Sequence, residues 1–109
     1  MRRTTVRALG ELLPLASGDM KILVIEQIIK SGSDPEWYVR ESAAHTLPQL
    51  KNSFTDIKIT KDAVDLLLKL SKDSDWYVSE SAIRGLKNMD GVIPENRKKD
   101  VDEILKIRR

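Results

Sequence analysis

The chain has 109 residues, of which 40% are hydrophobic and 33% charged, with a formal net charge of +2 and no cysteine. That is the size of one domain with a modest core, too apolar for a disordered chain, too neutral for a general attraction to nucleic acid, and without a disulfide framework or a thiolate metal site. No apolar run reaches the length of a membrane span, and the Arg-rich start lacks the apolar core of a signal peptide, so a cytoplasmic protein with no membrane partner is expected.

The first predicted element is a helix within residues 1–16, with Val6, Leu9, Leu12, Leu13 and Leu15 as its apolar positions. A very apolar helix follows, containing Ile22, Leu23, Val24, Ile25, Ile28 and Ile29, which leaves little room for a wide wet face and places the helix between neighbours. Ser33, Asp34, Pro35 and Glu36 then supply a side-chain cap, a proline at the first helical position and an acid in the first turn of the next helix. In that helix Trp37, Val39, Ala43, Ala44, Leu47 and Leu50 fall within about 160° of arc, a core-facing stripe. Pro48 should kink or end it, because it removes an amide donor and clashes with the preceding turn. Beyond a loop over Lys51–Thr60, a second apolar helix carries Ala63, Val64, Leu66, Leu67, Leu68 and Leu70. Ser74 and Asp75 open the helix after it, and Asp90-Gly91 closes that helix. A loop over Asp90–Lys98 leads to the last helix, Lys99–Ile107. Phe54 and Ile93 are expected to tuck under their loops at equivalent places 39 residues apart.

Two of these stretches are copies. Asp34–Leu50 reads DPEWYVRESAAHTLPQL and Asp73–Met89 reads DSDWYVSESAIRGLKNM, identical at eight of seventeen positions, with Trp37 and Trp76 39 residues apart. Thr5–Leu12, TVRALGEL, aligns with Ala82–Met89 at an offset of 77, close to two periods. Lys99–Ile107 resembles Lys61–Leu70. A period of this size marks a solenoid whose unit is a helix A followed by a helix B. The division is a half repeat over 1–16, repeats over 19–50 and 60–89, and a half repeat over 94–109, so the order begins with a B helix and ends with an A helix. The B helix of residues 1–16 has no A partner, so self-association through exposed terminal helices, or origin as a piece of a longer solenoid, is expected.

Arg40 falls in the middle of the apolar arc, where a charge needs a partner. Asp34, at the turn six residues earlier, is the expected partner, tying loop to helix and repeat to repeat. The next copy has Asp73 but Ser79 in place of the arginine.

Asp34, Val39, Arg40, Ala43, Ala44, Leu47 and Leu50, with Asp73, Val78, Ala82, Leu86 and Met89, form a pattern that resembles HEAT repeats, in particular the short HEAT-like repeats also found in phycobilisome lyases. The N-terminal copy offers only Val6, Arg7, Leu9 and Leu12, in a slightly different register, and Ser79 departs from the arginine of the pattern. The resemblance implies an all-α fold, a right-handed α-α superhelix of about three helix pairs, with A helices on the convex side and B helices lining the concave side. It implies a non-enzymatic scaffold that binds a protein or peptide.

Equivalent positions on successive B helices form rows on their polar side. Arg7, His45 and Arg84 make one row, and Arg3, Glu41 and Glu80 another. Tyr38 pairs with Tyr77, Ser42 with Ser81, and Glu11, Gln49 and Asn88 complete the set. Arg7, Tyr38, Glu41, His45, Tyr77, Glu80 and Arg84 are the candidate partner-binding residues, because aromatic and arginine side chains are favoured interface anchors. The plainer reading is a solvated face whose rows repeat because the repeats were duplicated. Asp34, Arg40, Trp37 and Trp76 are read as structural, with each tryptophan packing against the preceding repeat. His45 is the only histidine, with no carboxylate at helical spacing to complete a metal site, so no metal and no cofactor are expected. No nucleophile–base pair or phosphate-cradling loop appears, and no enzyme is expected. Nucleic-acid binding is the alternative, disfavoured because Glu11, Glu41 and Glu80 offset Arg3, Arg7 and Arg84. A lyase-type accessory role follows only from the resemblance.

Overall fold

The computed structural model describes residue 6 and residues 18–54 and 56–107. Among them lie five α-helices: α1 Gly18–Ser31, α2 Trp37–Thr46, α3 Ile57–Leu70, α4 Trp76–Asn88 and α5 Lys98–Ile107. Two 3-10 helices, Leu47–Ser53 and Glu95–Arg97, follow α2 and precede α5. The helix expected over residues 1–16, and with it Arg3, Arg7 and Glu11, lies outside the described residues. Val6 alone is described there, helical and fully buried.

The elements pack as two layers. α2 lies against α4 in one, α1 against α3 and α3 against α5 in the other. Between them runs one continuous core of Ile25, Ile28, Val39, Leu47, Val64, Leu67, Leu70, Val78, Leu86 and Met89, all at most 1% exposed. The apolar stripe of each helix thus faces the other layer, the arrangement an amphipathic helix-pair repeat requires. Small residues set the closeness of the α2–α4 seam. A Cβ added to Gly85 would stand 2.7 Å from the Pro48 ring and 3.3 Å from the Ala44 carbonyl. Ala43, Ala44 and Ala82 are small and fully buried on these two helices.

α1 has a wetter face than its composition suggests. Val24, Ile25 and Ile28 are buried, whereas Met20 and Leu23 are more than half exposed. Gly32 then lets the turn after α1 approach Leu66 of α3, because a Cβ there would meet both Leu66 methyl groups at 2.5 Å.

Helix starts depart from expectation in an instructive way. α2 begins at Trp37, two residues past Pro35, and its N-cap residue Glu36 makes no side-chain cap. The Asp34 carboxylate accepts instead from the Glu36 amide at 2.9 Å, closing the turn before the helix. In the next copy Asp75 occupies the cap, and its carboxylate accepts from the amides of Tyr77 and Val78 at 2.9 and 3.2 Å. The two backbones match, with φ −84°, ψ 125° at Glu36 and φ −85°, ψ 127° at Asp75. The difference is one methylene, which carries the glutamate carboxyl past the amides it should meet.

The stretch read as a loop after α2 is mostly helical. α2 leaves the α conformation at Thr46 and continues as a 3-10 helix with Pro48 in its first turn. α3 begins at Ile57, capped by Asp56, whose carboxylate accepts from the Lys58 amide at 2.8 Å. Phe54 and Ile93 are half-buried against the core. After α4, Gly91 turns the chain with φ 95°. Arg97 then ties the approach to α5 onto Asp65 of α3.

Substituting Glu36→Asp should therefore install the missing cap without changing the local charge. Chemical denaturation should read a gain of about 0.5–1 kcal/mol, and no gain would show that the α2 start is not limited by its cap.

Candidate functional site

Arg40 joins the two repeats. Its Nε donates to Asp73 Oδ2 at 2.9 Å and its Nη2 to Asp73 Oδ1 at 3.1 Å, a two-pronged pairing with the turn of the following repeat. Its Nη1 donates to the backbone carbonyls of Asp34 and Pro35, each at 3.0 Å. The expected partner carboxylate, Asp34, is therefore corrected to Asp73; Asp34 contributes its carbonyl. The planar guanidinium fork suits this role, since four directed bonds satisfy it in a crevice where its side chain is only 18% exposed. Asp73 is equally committed: it also accepts from the Asp75 amide at 2.9 Å. Burial pushes the Asp73 carboxyl up, but the hydrogen bonds from Arg40 and the Asp75 amide, with the charges of Arg40 and Lys69, outweigh it and hold the carboxyl below its usual range. The bonds to Asp73 likewise hold the Arg40 guanidinium more firmly protonated. Ser79, which replaces the arginine in the next copy, is buried and its hydroxyl donates to the Trp76 carbonyl at 3.1 Å.

With the repeats locked, the start of α2 meets the start of α4 through aromatic rings. Trp37 stacks on Tyr77 at 5.7 Å between ring centroids and 25° between planes. Trp76 stands edge-on to Tyr77 at 5.3 Å, and Tyr38 edge-on to Trp37 at 6.0 Å. Four rings thus form one run across two repeats. Much of it faces solvent: Trp37, Trp76 and Tyr77 are 42%, 63% and 61% exposed. Tyr38 is half-buried against the core. The tryptophans were expected to pack against the preceding repeat; Trp76 is instead largely in water, and Trp37 stacks on the repeat that follows.

One turn further along, Ser81 Oγ donates to Glu41 Oε2 at 2.8 Å. This bridge and the Trp37–Tyr77 stack each join residues 40 apart, although the repeat period is 39. The reason is lateral packing. Side chains that meet come from facing flanks of two helices, not from the same point on each wheel, and one residue turns the wheel by about 100°. The rows read from sequence are accordingly displaced by one: Tyr77 meets Trp37 rather than Tyr38, and Ser81 meets Glu41 rather than Ser42. Ser42 is fully buried, its hydroxyl satisfied by the Tyr38 carbonyl at 3.0 Å, so it leaves the polar face altogether.

At the other end of α2 and α4, exposed His45 and Arg84 share a narrow cleft with Gln49 and Asn88. Its volume is about 100 Å³, room for one small side chain and below the roughly 300–1,000 Å³ of small-molecule pockets. Gln49 Nε2 lies 2.9 Å from His45 Nε2, so the imidazole nitrogen accepts from the carboxamide. Lys51 reaches across to donate to the Asn88 carbonyl at 2.9 Å. Glu80 is half-buried on α4 between the aromatic and basic ends. Among the described residues no group of three His, Asp or Glu side chains is placed to share a metal ion, and no helix is long and apolar enough to cross a membrane.

Repeated helix pairs, a shared core and a patterned surface spanning the repeats define an α-helical repeat protein. The family model for HEAT repeats matches the chain twice, over residues 1–87 and 22–106, and the chain belongs to that family. HEAT repeats generally mediate protein–protein interaction and are generally non-enzymatic scaffolds. Comparison with curated proteins and with solved structures finds no match.

The inter-repeat lock has a measurable cost and pH dependence. Arg40→Met should lose about 2–3 kcal/mol, since it strands a largely buried carboxylate. Asp73→Asn should lose less, because the carboxamide oxygen still accepts. The Asp73 carboxyl titrates lower folded than unfolded, so its contribution is full above the usual carboxylate range and vanishes as pH falls through the folded value. Denaturation at several pH values should show a constant gap between parent and Asp73→Asn above about pH 5 that closes towards more acid pH. A gap independent of pH would remove the charge pairing from the account.

Proposed function

We propose that this protein binds another protein or a peptide on the exposed face of α2 and α4. The candidate strip of Tyr38, Glu41, His45, Tyr77, Glu80 and Arg84 lies there, Trp37 and Trp76 join it, and the candidate Arg7 is outside the described residues. The observation that carries the reading is the run of four rings crossing two repeats, three of them substantially in solvent. Large aromatic side chains bury much area at small entropic cost when a partner covers them, and they dominate interface energetics. Exposing three of them beside one another costs solvation that a partner recovers. Nucleic acid is less well supported, because Glu41 and Glu80 stand on the same face and repel phosphate.

The test is capture from lysate by the parent chain and by the variant Trp37→Ala/Tyr77→Ala, with helicity of both checked by circular dichroism. A protein held by the parent and at least about tenfold depleted with the variant supports the reading. Equal capture by both places the working surface elsewhere.

A further inference from the structure

The surroundings of the aromatic run point to the chemistry of its partner. Trp76 and Glu80 are four residues apart on α4, and Trp37 and Glu41 are four apart on α2, so each acid stands one helical turn beyond its indole on the same face. The same pairing of an indole with a carboxylate is thus built twice, one repeat apart; at the first, one face of Trp37 already stacks on Tyr77 and Glu41 accepts from Ser81, and at the second Trp76 is the more exposed indole. The local charge agrees. Residues 34–41 and 73–80 carry six carboxylates (Asp34, Glu36, Glu41, Asp73, Asp75 and Glu80) against one arginine, in a chain whose formal net charge is +2. That arginine, Arg40, is consumed by Asp73 and the turn carbonyls. Asp73 is neutralised by that arginine and also feels the charge of Lys69, and the aromatic end keeps an excess of carboxylates over cations, while Arg84 sits at the opposite end.

A guanidinium or ammonium group is attracted to the face of an indole, and a neighbouring carboxylate adds a charge-assisted hydrogen bond. Neither an acidic segment nor a purely apolar one gains from both features. We propose that the face described above, if it is the interaction surface, takes a basic extended peptide segment, with one arginine or lysine over Trp76 beside Glu80 and a second over Trp37 beside Glu41. Neighbouring helices lie about 8–10 Å apart and an extended chain covers about 3.3–3.6 Å per residue. The two basic side chains are accordingly about three residues apart in the partner.

Trp37 and Trp76 are the only tryptophans in the chain, so intrinsic fluorescence reports directly on this site. The probe is a capped peptide of three Arg-Gly-Gly repeats, with Glu-Gly-Gly and Leu-Gly-Gly peptides as controls. The arginine peptide should give a saturable fluorescence change that weakens with added salt. Trp76→Leu, with Trp37 left as reporter, should lower affinity about tenfold, and Glu80→Gln should reduce both affinity and its salt dependence. Circular dichroism confirms that each variant remains helical. Equal or tighter binding of the glutamate or leucine peptide overturns the assignment of charge while leaving the aromatic face a binding surface. No response to any of the three overturns the basic-peptide inference, whereas the lysate capture decides the interaction surface separately.

Discussion

Arg40 is a permanent cation held where the turn of one repeat meets the turn of the next. Its four bonds reach Asp73 on one side and the carbonyls of Asp34 and Pro35 on the other. In a solenoid each repeat touches only its neighbours, so the angle and register between repeats rest on whatever crosses that single seam. Hydrophobic contact alone is poorly directional and would tolerate a range of angles. A guanidinium gripped on both sides is not so tolerant. The small residues of the seam, Ala44 against Gly85 with Pro48 alongside, supply the close approach; the ion pair fixes how the two helices meet.

The exposed face of α2 and α4 inherits that register. Trp37 stacks on Tyr77 and Glu41 accepts from Ser81 because the two helices meet flank to flank, which pairs residues 40 apart across a 39-residue period. The partly exposed rings do little for the core, which is already filled by Leu47, Leu67, Leu86 and their neighbours. They instead form a surface feature larger than either repeat could present. Its carboxylates near the starts of α2 and α4 and the guanidinium of Arg84 near the end of α4 place unlike charges at the two ends of the face. HEAT repeats generally mediate protein–protein interaction, and a surface spanning repeats is what such a fold presents.

Much of this was legible in the sequence, and the misreadings have physical causes. The 39-residue duplication and the 3.6-residue apolar spacing specify helix pairs, and Val39, Ala43, Leu47, Val78, Ala82 and Leu86 all enter the core as their periodicity requires. Pro48 marked the end of α2, while Asp56 was passed over although Asp before an amphipathic run is a cap signal. Sequence proximity favours Asp34 as the partner of Arg40, whereas the guanidinium spans the gap between repeats to Asp73. Equal positions on successive B helices do not meet, because adjacent helices pack flank to flank. Trp37 and Trp76 lie in the exposed run of rings, and Ser42 is buried with its hydroxyl on the Tyr38 carbonyl. Both lateral pairs do appear in the duplicated WYV and ESA strings once the 40-residue offset is applied.

The central claim is that the Arg40 lock sets the register that brings Trp37 onto Tyr77. Nuclear Overhauser effects between the Trp37 indole and Tyr77 ring protons test it most directly, in the parent chain and in Arg40→Met at a temperature where the variant remains helical. The account predicts clear cross-peaks in the parent that are lost or strongly weakened in the variant. Cross-peaks of equal strength in both would show that the rings meet without the lock, and their absence from the parent would contradict the aromatic run itself.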